Sequence, residues 1–588
     1  MTIRKMALTM VLLGILAGAQ PIWAQTWTIT KVVDNTTACP GSQGVFNPAT
    51  LFPAINGPWV VFLDSGDDSC TSNDGPSIWS YNLITKALVK LVDTNTPIPF
   101  PAGAGNFVGL TANCCDNNLQ VNDGTVLFFG YGAGYNPTYP NCSGGLYTVS
   151  VTGGEIFRVV DYTMTLPGYG GSFCALNTSY GINGLVGMSL DRGQVVFSAE
   201  AVGSGGSNTG VWRAPANVNT TESQLHLIAD ASTVYQSPFP PGCAPGFCQT
   251  INQWEGGFLG ATATAFTGGG QTGADGLFVN SPSSPILLSS YVLPGDTAHN
   301  TSYPDNASFY IGPIVDGANI FFLATDPFYL GTCANGGSGN GIFSGVFKTG
   351  LGGGAATSIM NTCNTQPNGD SLGANSFNQL AADEGTAVFP ALDNTTGNYV
   401  LDSSVNGVVS QILAPGNSLP SGASCDGTYH AVGCATTVSP TGTGGINGGR
   451  VVFNAEGGPY WYDEGIYVAS LPCASAVTSD VTVSLGTLTY SSTTKTWSQT
   501  ATVKNSGNTA IAGPLSLVLA NLTHGVTLTN RNGTTVCFAP EGSSYIDFYL
   551  PANNELAVGK TTQTTLEFSD PSNAGISFHS EVAGAGAR

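Results

Sequence analysis

Charged residues are scarce in this chain, and basic residues are the scarcest of them. Only 9% of the 588 residues are charged, and 15 Lys and Arg against 36 Asp and Glu give a formal net charge of −21. Nucleic acids and anionic membrane surfaces are bound through clustered Lys and Arg, and the sequence has no such cluster. We therefore expect neither as a partner, whereas cations, neutral glycans and other proteins remain open.

Long apolar runs are also missing, with one exception near the N-terminus. A basic pair precedes an apolar stretch from Met6 to Ala19, and small residues lead to a cleavage site after Ala24. A short apolar run in this position predicts a secretory signal rather than a membrane span. Residues 1–24 are thus a predicted signal peptide. We expect the mature protein to be extracellular or at the cell surface, with no transmembrane anchor.

Several catalytic motifs are absent from the sequence. It contains no Gly-x-Ser-x-Gly nucleophile motif, no His-Glu-x-x-His metal motif and no phosphate-binding P-loop. The five histidines are scattered, and those between strand-like segments of the repeat, His299 and His430, are better explained as solvated loop residues than as catalytic bases. The residues therefore favour a protein that is not an enzyme.

Cysteine, by contrast, is frequent, and all 14 cysteines lie beyond the cleavage site. An even number in an exported chain favours disulfides over metal thiolates. We expect Cys473 and Cys537 to join the start of the C-terminal region to its body. The other expected pairs are Cys243–Cys248, Cys333–Cys363 and Cys425–Cys434, with the adjacent Cys114 and Cys115 reaching separate partners such as Cys142 and Cys174.

One apolar run recurs seven times between clusters of Gly, Asn, Asp and Ser. It ends in a phenylalanine at intervals of 66, 69, 69, 56, 67 and 64 residues, at Phe62, Phe128, Phe197, Phe266, Phe322, Phe389 and Phe453. A second aromatic residue follows each one, at Trp79, Tyr147, Trp212, Phe278, Phe347, Tyr399 and Tyr467. A period this steady predicts a repeat protein whose units complete a shared core.

Each repeat contains four strand-like segments. The first is anchored by an aromatic residue such as Phe107, and the second is the recurring run, as in Asp191–Ala199. The third carries the second aromatic residue. In six repeats a glycine stands two positions before this aromatic residue, and a glycine there suits a tight turn or a close approach to the neighbouring backbone. The fourth is short and apolar and often ends in Asp, as in Leu91–Asp93.

The seventh repeat stops after Ser470 without a fourth segment, and a segment of that type stands at residues 27–34, before the first repeat. Pairing of this N-terminal strand with the last sheet would close a ring and remove exposed sheet edges. We therefore predict an all-β chain in which residues 25–473 form a seven-bladed β-propeller closed by the N-terminal strand. A stacked β-solenoid and paired sandwiches are the alternatives.

The pattern Asn/Asp-x-Gly-x-Val-x-Phe-x-Ala, seen in Asn447–Ala455 and followed by Gly465–Tyr467, resembles the tandem-repeat secreted proteins of environmental bacteria. The resemblance covers residues 26–472, and the first, fourth and fifth repeats depart from it because their glycine is missing or shifted. It implies export and a propeller-like fold, and it implies no catalytic residue.

The composition changes after Cys473. Residues 474–588 are rich in Thr, Val and Ser in alternating runs, as in Asp480–Leu485. This region resembles the immunoglobulin-like or fibronectin-like modules appended to bacterial exoproteins, and the resemblance implies a C-terminal β-sandwich. Such modules act as spacers or as adhesive elements.

Three sets of residues are candidate binding sites. Tyr460, Trp461 and Tyr462 form an aromatic platform next to Asp463 and Glu464, a combination that suits sugars, with a plain exposed turn as the alternative. Asp463 and Glu464 are adjacent, so a strand would point them to opposite faces and they would not form a glycosidase pair.

The second set is an acidic loop that includes Asp64, Asp67, Asp68 and Asp74. Clustered carboxylates suit Ca²⁺, although the spacing differs from that of an EF-hand, and a solvated hairpin insertion is the favoured alternative. The third set is the Asp that ends the fourth segment, at Asp34, Asp93, Asp161 and Asp230. These four could ring one face and bind cations or sugars, but an Asp in this position more often hydrogen-bonds its own turn.

Three functions remain open from the sequence. The favoured one is an exported, non-catalytic binding or surface-interaction protein whose ligand is a glycan or a protein. The second is a secreted polysaccharide-degrading enzyme, a glycosidase or lyase, with its site at the centre of the propeller. The third is a structural component of the envelope or matrix.

Overall fold

The computed structural model describes most of the chain beyond residue 26. The described residues are 27–41, 44–46, 53–64, 75–99, 105–110, 119–132, 144–168, 171–174, 188–203, 206–230, 253–259, 263–269, 276–288, 292–296, 308–317, 319–326, 329, 342–367, 369, 371–372, 377, 379–393, 399–405, 407–414, 419–420, 437–438, 445–457, 463–492, 495–551 and 554–588. The predicted signal peptide lies outside them. None of the helices in these ranges is long and apolar enough to span a membrane.

The chain is all-β: the described ranges contain strands, two 3₁₀ turns (Glu222–Gln224 and Thr478–Asp480) and no α-helix. Seven antiparallel sheets follow one another between residues 28 and 470. The first sheet contains β2 (Ala54–Asn56), β3 (Trp59–Asp64), β4 (Ser77–Asn82) and β5 (Leu88–Asp93). The second contains β6 (Phe107–Gly109), β7 (Leu119–Asn122), β8 (Thr125–Gly132), β9 (Gly144–Ser150) and β10 (Phe157–Asp161). The third contains β11 (Ser172–Cys174), β12 (Met188–Asp191), β13 (Gln194–Gly203), β14 (Gly206–Pro215) and β15 (His226–Asp230).

The remaining four sheets follow the same plan. The fourth contains β16 (Gln253–Leu259), β17 (Thr264–Gly269), β18 (Gly276–Val279) and β19 (Ser281–Leu288), and the fifth contains β20 (Ser308–Asp316), β21 (Asn319–Asp326), β22 (Phe343–Gly350) and β23 (Thr357–Asn361). The sixth contains β24 (Ala381–Asp383), β25 (Thr386–Leu392), β26 (Tyr399–Val405) and β27 (Val408–Leu413). The seventh contains β28 (Thr437–Val438), β29 (Ile446–Asn447), β30 (Arg450–Gly457), β31 (Asp463–Ser470) and β1 (Thr28–Asp34). The predicted recurring runs are β3, β8, β13, β17, β21, β25 and β30, which we call the signature strands.

The signature phenylalanine lies directly opposite an aromatic residue on the next strand in six sheets. The pairs are Phe62–Trp79, Phe128–Tyr147, Phe197–Trp212, Phe266–Phe278, Phe322–Phe347 and Phe453–Tyr467. The glycine two residues before the second aromatic makes room for its ring, since a Cβ at Gly210 would lie 2.6 Å from the Trp212 ring. Directly opposed aromatic side chains stabilise antiparallel pairs, which explains the period of the pattern.

The sixth sheet corrects one prediction. Tyr399 was expected to be its second aromatic residue, but the residue opposite Phe389 is Asp402, and Tyr399 begins β26 opposite Leu392. The Gly-x-aromatic pattern at Gly397 placed the register three residues too early. The pairing of a strand depends on its partner, which the local pattern does not contain.

The first strands also differ from the prediction. In the first, second, third and sixth sheets the strand that directly precedes the signature strand begins after the predicted aromatic anchor, as β7 begins after Phe107. In the fifth sheet the predicted anchor Phe309 does lie within that strand, β20. Phe107 in β6 contacts the rings of Phe128 and Tyr147 at 5.8 and 5.2 Å between centroids.

The N-terminal strand completes the seventh sheet, as its sequence predicted. β1 pairs with β31 in antiparallel register from Thr28 opposite Ser470 to Asp34 opposite Gly465. The last strand of this sheet is therefore supplied by residues more than 400 positions away in the chain.

Each sheet packs on the next, so the signature strands are buried on both faces. In β13, Phe197 packs in a cluster with the second sheet, whereas Val196 packs with Phe266 and Phe278 of the fourth. Similar clusters join every consecutive pair of sheets. A further cluster joins the seventh sheet to the first, through Val452 and Val468 against Phe62 and Trp79.

Residues beyond Cys473 form their own sheets. Sheet P contains β32 (Val481–Leu485), β33 (Thr489–Ser491), β34 (Thr496–Asn505), β37 (Thr527–Leu528) and β41 (Thr561–Ser569). Sheet O contains β36 (Leu515–Ala520), β38 (Gly533–Thr534), β39 (Ser544–Phe548) and β42 (His579–Ala583). A separate pair consists of β35 (Ile511–Ala512) and β40 (Glu555–Leu556). Leu517 of sheet O and Leu566 of sheet P share one buried cluster. The predicted disulfide Cys473–Cys537 is confirmed.

Cys363 is also disulfide-bonded, and its expected partner Cys333 lies outside the described residues. Cys39, for which no partner was predicted, is disulfide-bonded as well. The other predicted pairs include cysteines outside the described ranges.

Candidate functional site

The predicted aromatic platform lies on the connection between β30 and β31. Asp463 and Glu464 begin β31, where their backbones pair with Gly457 and Glu456. Tyr460, Trp461 and Tyr462 lie outside the described residues. The Gly457–Asp463 pair is therefore at the end of the seventh sheet that is remote from the Arg450–Ser470 pair.

The predicted acidic loop begins at the corresponding end of the first sheet. Asp64 is the last residue of β3, is fully buried, and accepts a hydrogen bond from the Ser77 hydroxyl at 3.4 Å. Asp67, Asp68 and Asp74 lie outside the described residues. Within the described ranges no group of three or more His, Cys, Asp or Glu has the geometry of a metal site.

Three of the four aspartates that end the fourth strands, Asp34, Asp93 and Asp161, bind their own turns, as the structural interpretation predicted; the residues that follow Asp230 lie outside the described ranges. Asp34 accepts hydrogen bonds from the Thr36 and Thr37 hydroxyls at 2.7 and 2.8 Å, and Asp161 accepts one from the Thr163 amide at 3.0 Å. A basic residue three positions earlier also pairs with the carboxylate, as Lys31 does with Asp34 at 3.0 Å. These carboxylates are thus occupied in structural hydrogen bonds.

The opposite end of the sheets carries a second kind of site, which the sequence did not predict. A tight turn joins the signature strand to the strand before it, and we call this end of the molecule the turn end. At five of the seven junctions between consecutive sheets, the Asn or Asp before the turn accepts a hydrogen bond from the backbone of the following sheet's turn. Asn447 binds Gly57, Asn56 binds Asp123, Asn122 binds Arg192, Asp316 binds Glu384 and Gly385, and Asp383 binds Gly448, at donor–acceptor distances of 2.5–3.3 Å.

These hydrogen bonds run in one direction around the molecule and include the junction between the seventh and first sheets, where the Gly57 amide donates to Asn447 Oδ1 at 2.8 Å. The motif that carries them was visible in the sequence as Asn/Asp-x-Gly or Asn/Asp-Gly, but the local pattern indicated only a turn. The partner of the side chain is in the next repeat, 65–70 residues away, except at the junction of the seventh and first sheets, where it is 390 residues away.

The C-terminal region packs directly on the turn end. Gly57 lies against Thr534, Gly317 against the Tyr549 ring and Gly448 against the Tyr545 hydroxyl, each so closely that a Cβ at the glycine would fall within 2.9 Å of that side chain. Arg531 forms an ion pair with Asp123 at the margin. These turn glycines have φ between +54° and +60°, which also favours glycine.

A cavity of about 110 Å³ lies between the turn end and the C-terminal region. Its lining is mainly polar and includes Asn122, Asp191, Arg192, Asp316, Lys348, Asp383, Glu384, Asn447, Arg531, Asp547 and Tyr549. Pockets for drug-sized ligands usually measure about 300–1,000 Å³. This cavity is therefore sized for a few water molecules or a small ion rather than for a sugar chain.

Burial controls the ionisation of the acids around this cavity. It raises the pKa of Asp316 to about 6, against two hydrogen bonds from backbone amides that favour the charged form. Burial and the neighbouring Glu384 raise the pKa of Asp383 and of Asp547 well above the usual range. Burial also lowers the pKa of Arg450. Asp383 of the sheets and Asp547 of the C-terminal region are thus buried where the two parts meet.

Comparison with known proteins gives no family. No family model matches the chain, and no curated protein matches it. One solved structure that resembles it is a prolyl endopeptidase, with 9% sequence identity and a TM-score of 0.39 over 80% of this chain and 55% of that one. Another is the β-propeller domain of the Trilobed protease from Pyrococcus furiosus, with 10% identity and a TM-score of 0.36 over 72% of this chain and 95% of that one. The polysaccharide lyase Uly1 is similar to the same degree, with 10% identity and a TM-score of 0.35 over 76% of this chain and 99% of that one.

This chain thus spans about half the length of the endopeptidase, since it covers 55% of it. Identities of 8–12% and TM-scores of 0.39 or less carry no argument about the activity of this protein.

Proposed function

We propose that the seven stacked sheets form a closed seven-bladed β-propeller, with residues 474–588 forming an immunoglobulin-like β-sandwich packed on its turn end. The cluster that joins the seventh sheet to the first supports closure, as does the hydrogen bond from Gly57 to Asn447. The shared core of sheets O and P supports the sandwich. Residues 1–24 are proposed to be a signal peptide that directs the protein to the cell surface or medium.

We further propose that the protein is an exported, non-catalytic binding protein that uses the end of the propeller opposite the sandwich. The observation that carries this proposal is the packing of the C-terminal region over the turn end, which covers Gly57, Gly317 and Gly448. The opposite end bears the connections between the second and third strands of each sheet. Such connections on a constant scaffold are where binding specificity resides.

The two candidate binding segments lie on equivalent connections of neighbouring sheets. The acidic loop follows β3 of the first sheet, and the Tyr460–Glu464 segment precedes or begins β31 of the seventh sheet. The seventh and first sheets pack together, so Asp64 at the end of β3 and Asp463 at the start of β31 belong to neighbouring sheets. An aromatic platform beside oxygen ligands for Ca²⁺ suits a neutral glycan, whose ring faces stack on aromatic side chains.

Binding is favoured over catalysis because the acids at the junction are buried. Asp383 of the sheets and Asp547 of the C-terminal region are 9% and 8% exposed, and they line a cavity of about 110 Å³ between the two parts. A glycosidase needs two carboxyl groups flanking an accessible glycosidic bond. The described part of the ring centre does not offer such access at the turn end.

The test is a glycan-array and polysaccharide pull-down with the mature chain, residues 25–588, in Ca²⁺ and in EDTA. Each glycan that binds is then assayed for new reducing ends and unsaturated products. We expect Ca²⁺-dependent binding without cleavage. Binding should be lost in Trp461→Ala and weakened in Asp67→Asn, and it should be unchanged in Tyr490→Ala, which removes an exposed aromatic residue of the C-terminal region.

Cleavage of a bound glycan would overturn the proposal and favour a secreted polysaccharide-degrading enzyme. Absence of binding to any glycan or surface protein would instead favour a structural role in the envelope or matrix. Loss of binding in Tyr490→Ala but not in Trp461→Ala would move the site to the C-terminal region.

A further inference from the structure

Buried charged side chains meet where the C-terminal region packs on the turn end. Four carboxyl groups and three cations belong to this junction cluster, which comprises Asp316, Lys348, Asp383, Glu384 and Arg450 of the ring and Asp547 and Arg588 of the C-terminal region. Carboxyl groups are rarely buried unless they are paired. The cluster therefore couples the ionisation of these groups to the packing of the two parts.

The contacts within the junction cluster satisfy some of these groups and leave others unsatisfied. Asp383 accepts the Gly448 amide at 2.8 Å, and Asp547 accepts the Ser516 hydroxyl at 2.5 Å. Glu384 is 4% exposed at its side chain, and neither of its carboxyl oxygens accepts a hydrogen bond. Its nearest cation is Arg588, with Nη2 3.7 Å from Oε2.

Arg588 and Arg450 connect the two parts. The Arg588 guanidinium donates to Ser516 at 2.7 Å within the C-terminal region and faces Glu384 of the ring. Arg450 of the ring donates to the Arg588 carbonyl at 2.8 Å. Both arginine side chains are buried, with residue exposures of 0% and 3%.

The surroundings of the cluster add few compensating charges. Asp383 faces Glu384 on its own turn, Asp316 of the fifth sheet, Arg450 of the seventh sheet, and Asp547 and Tyr545 of β39. Asp547 faces Glu384, Asp316 and Arg588. At the margin lie Asp191 and Arg192 near Tyr549, and the Arg531–Asp123 ion pair.

We propose that the C-terminal region docks on the ring in a pH-dependent way, tightly in acid and more loosely as the pH rises. The reason is a shortage of buried positive side chains: four side-chain carboxyl groups share three side-chain cations, and Lys348 is only partly buried. When all four carboxyl groups are ionised, repulsion and desolvation disfavour the docked state. Opening the junction admits water, which reduces both the repulsion between the carboxylates and the cost of their desolvation.

The sign follows from proton linkage. Docking raises the pKa of Asp316 to about 6, and raises the pKa of Asp383 and Asp547 well above 3.8, chiefly by burial. The docked state therefore binds more protons than the open state. Its stabilisation is complete below the open-state pKa and is lost as the pH rises through the docked-state pKa values.

Hydroxyl-radical footprinting of the full mature chain between about pH 5 and pH 8.5 tests this proposal. Tyr545 is the reporter of docking, because it is fully buried and its hydroxyl packs on Gly448. Tyr147 of the second sheet and Phe568 of sheet P, 2% and 0% exposed, report unfolding of the ring and of the C-terminal region. Oxidation is normalised to an added peptide at each pH.

We expect the oxidation rate of Tyr545 to rise about tenfold over this range, the effect of a one-unit difference in pKa, while Tyr147 and Phe568 stay protected. The double substitution Asp383→Asn and Asp547→Asn should reduce the rise, since neither amide can ionise and Asp316 alone remains of the three carboxyl groups with a raised pKa. Asp402→Asn, which removes a buried acid in the sixth sheet away from the junction, should leave the rise intact.

A constant Tyr545 rate in the unsubstituted protein would overturn the proposal. So would a rise that the double substitution does not reduce, or a parallel rise of Tyr147 and Phe568, which would indicate global unfolding. If the double variant fails to fold, Asp547→Asn alone is used, and it should at least halve the rise, as about half of the coupled charge is removed.

Discussion

At the scale of single residues, Asp402 is the position where the repeat departs most from its own pattern. The other six sheets place Trp, Tyr or Phe opposite the signature phenylalanine, whereas Asp402 lies opposite Phe389. Asp402 is fully buried, and neither of its carboxyl oxygens has a hydrogen-bond partner. Burial raises the pKa of Asp402 to about 7. The sixth sheet therefore carries an acid that is neutral only below neutral pH.

Replacement of Asp402 should stabilise the protein at alkaline pH. The unfolded chain releases this proton near pH 4 and the folded protein near pH 7, so stability falls as the pH rises through that interval. Asp402→Leu should raise the free energy of unfolding by on the order of 3 kcal/mol at pH 8. Thermal unfolding followed by circular dichroism at pH 4 and pH 8 measures the change.

Asp402→Asn is the control, because it removes the charge but keeps the polar group. It should flatten the dependence of the melting temperature on pH with a smaller gain at pH 8 than Asp402→Leu. An unchanged pH profile in both variants would show that Asp402 does not ionise in this interval.

The glycines before the second aromatic residue are required by space rather than by backbone conformation. A Cβ at Gly345 would lie 2.6 Å from the Met360 carbonyl oxygen and 2.9 Å from the Phe347 ring. Gly345→Ala should therefore destabilise the protein by about 1–3 kcal/mol through overpacking. Gly352, seven residues later in the same sheet, has open space around it and an unrestricted φ.

Gly352→Ala is thus the matched control, and it should change the free energy of unfolding by less than about 0.5 kcal/mol. Denaturant unfolding of the two variants compares them directly. Equal effects would mean that the Gly-x-aromatic pattern has another origin.

At the scale of elements, β1 and β36 show how sequence and position combine. The three last residues of β1 are buried, since the strand pairs with β31 and packs between the seventh and first sheets. Strand β36 is buried along its whole length, with Leu517 facing sheet P and Val518 in the cluster with Tyr545. Its run Leu-Ser-Leu-Val-Leu-Ala departs from the alternation of a half-exposed strand, and this was a signal of a second covered face.

A charge in the buried part of β1 should open the seventh sheet. Val33 is fully buried, so Val33→Asp would place an unpaired carboxylate in the core and cost several kcal/mol. The freed edge of β31 would then be available to other chains. We expect a lower melting temperature and soluble oligomers, detected by light scattering during size-exclusion chromatography.

Thr28→Asp changes the exposed first residue of the same strand and should leave the protein monodisperse to the same extent as the unsubstituted chain. A similar loss in both variants would argue for a general effect of negative charge rather than for opening of the sheet.

At the scale of the whole molecule, two ion pairs with different surroundings join the seven sheets to the C-terminal region. Arg588 faces Glu384 with both side chains nearly inaccessible, at 0% and 4% exposure. Arg531 pairs with Asp123 at the margin, where the side chains are 24% and 37% exposed. Solvent screens the second pair, and removal of one partner from the first leaves a buried charge.

Arg588→Met should therefore destabilise the docked protein by about 3–5 kcal/mol at neutral pH. Arg531→Met should cost less than about 1 kcal/mol. Thermal unfolding of the two variants, with Tyr545 footprinting as the reporter of docking, measures both effects. Equal losses would mean that the exposed pair contributes as much as the buried one.

Much of the architecture could be predicted from the sequence because its determinants are local. Period-2 alternation, the Asn/Asp-x-Gly turns and the spacing of the phenylalanines predicted the signature strands of the seven sheets, and the fourth-strand pattern at residues 27–34 predicted the pairing of β1 with β31. The Cys473–Cys537 disulfide was predicted from position alone. The register of the sixth sheet was predicted wrongly, since Gly397 mimicked a pattern that β26 does not follow.

The sequence by itself therefore determined the elements, their order and the residues of their turns. Only the tertiary structure decided which end of the sheets the C-terminal region covers, and that Asp383 and Asp547, 164 residues apart, share one buried cluster. The physical reason is that strand and turn preferences are written in neighbouring residues, whereas burial and charge interactions depend on groups brought together by folding.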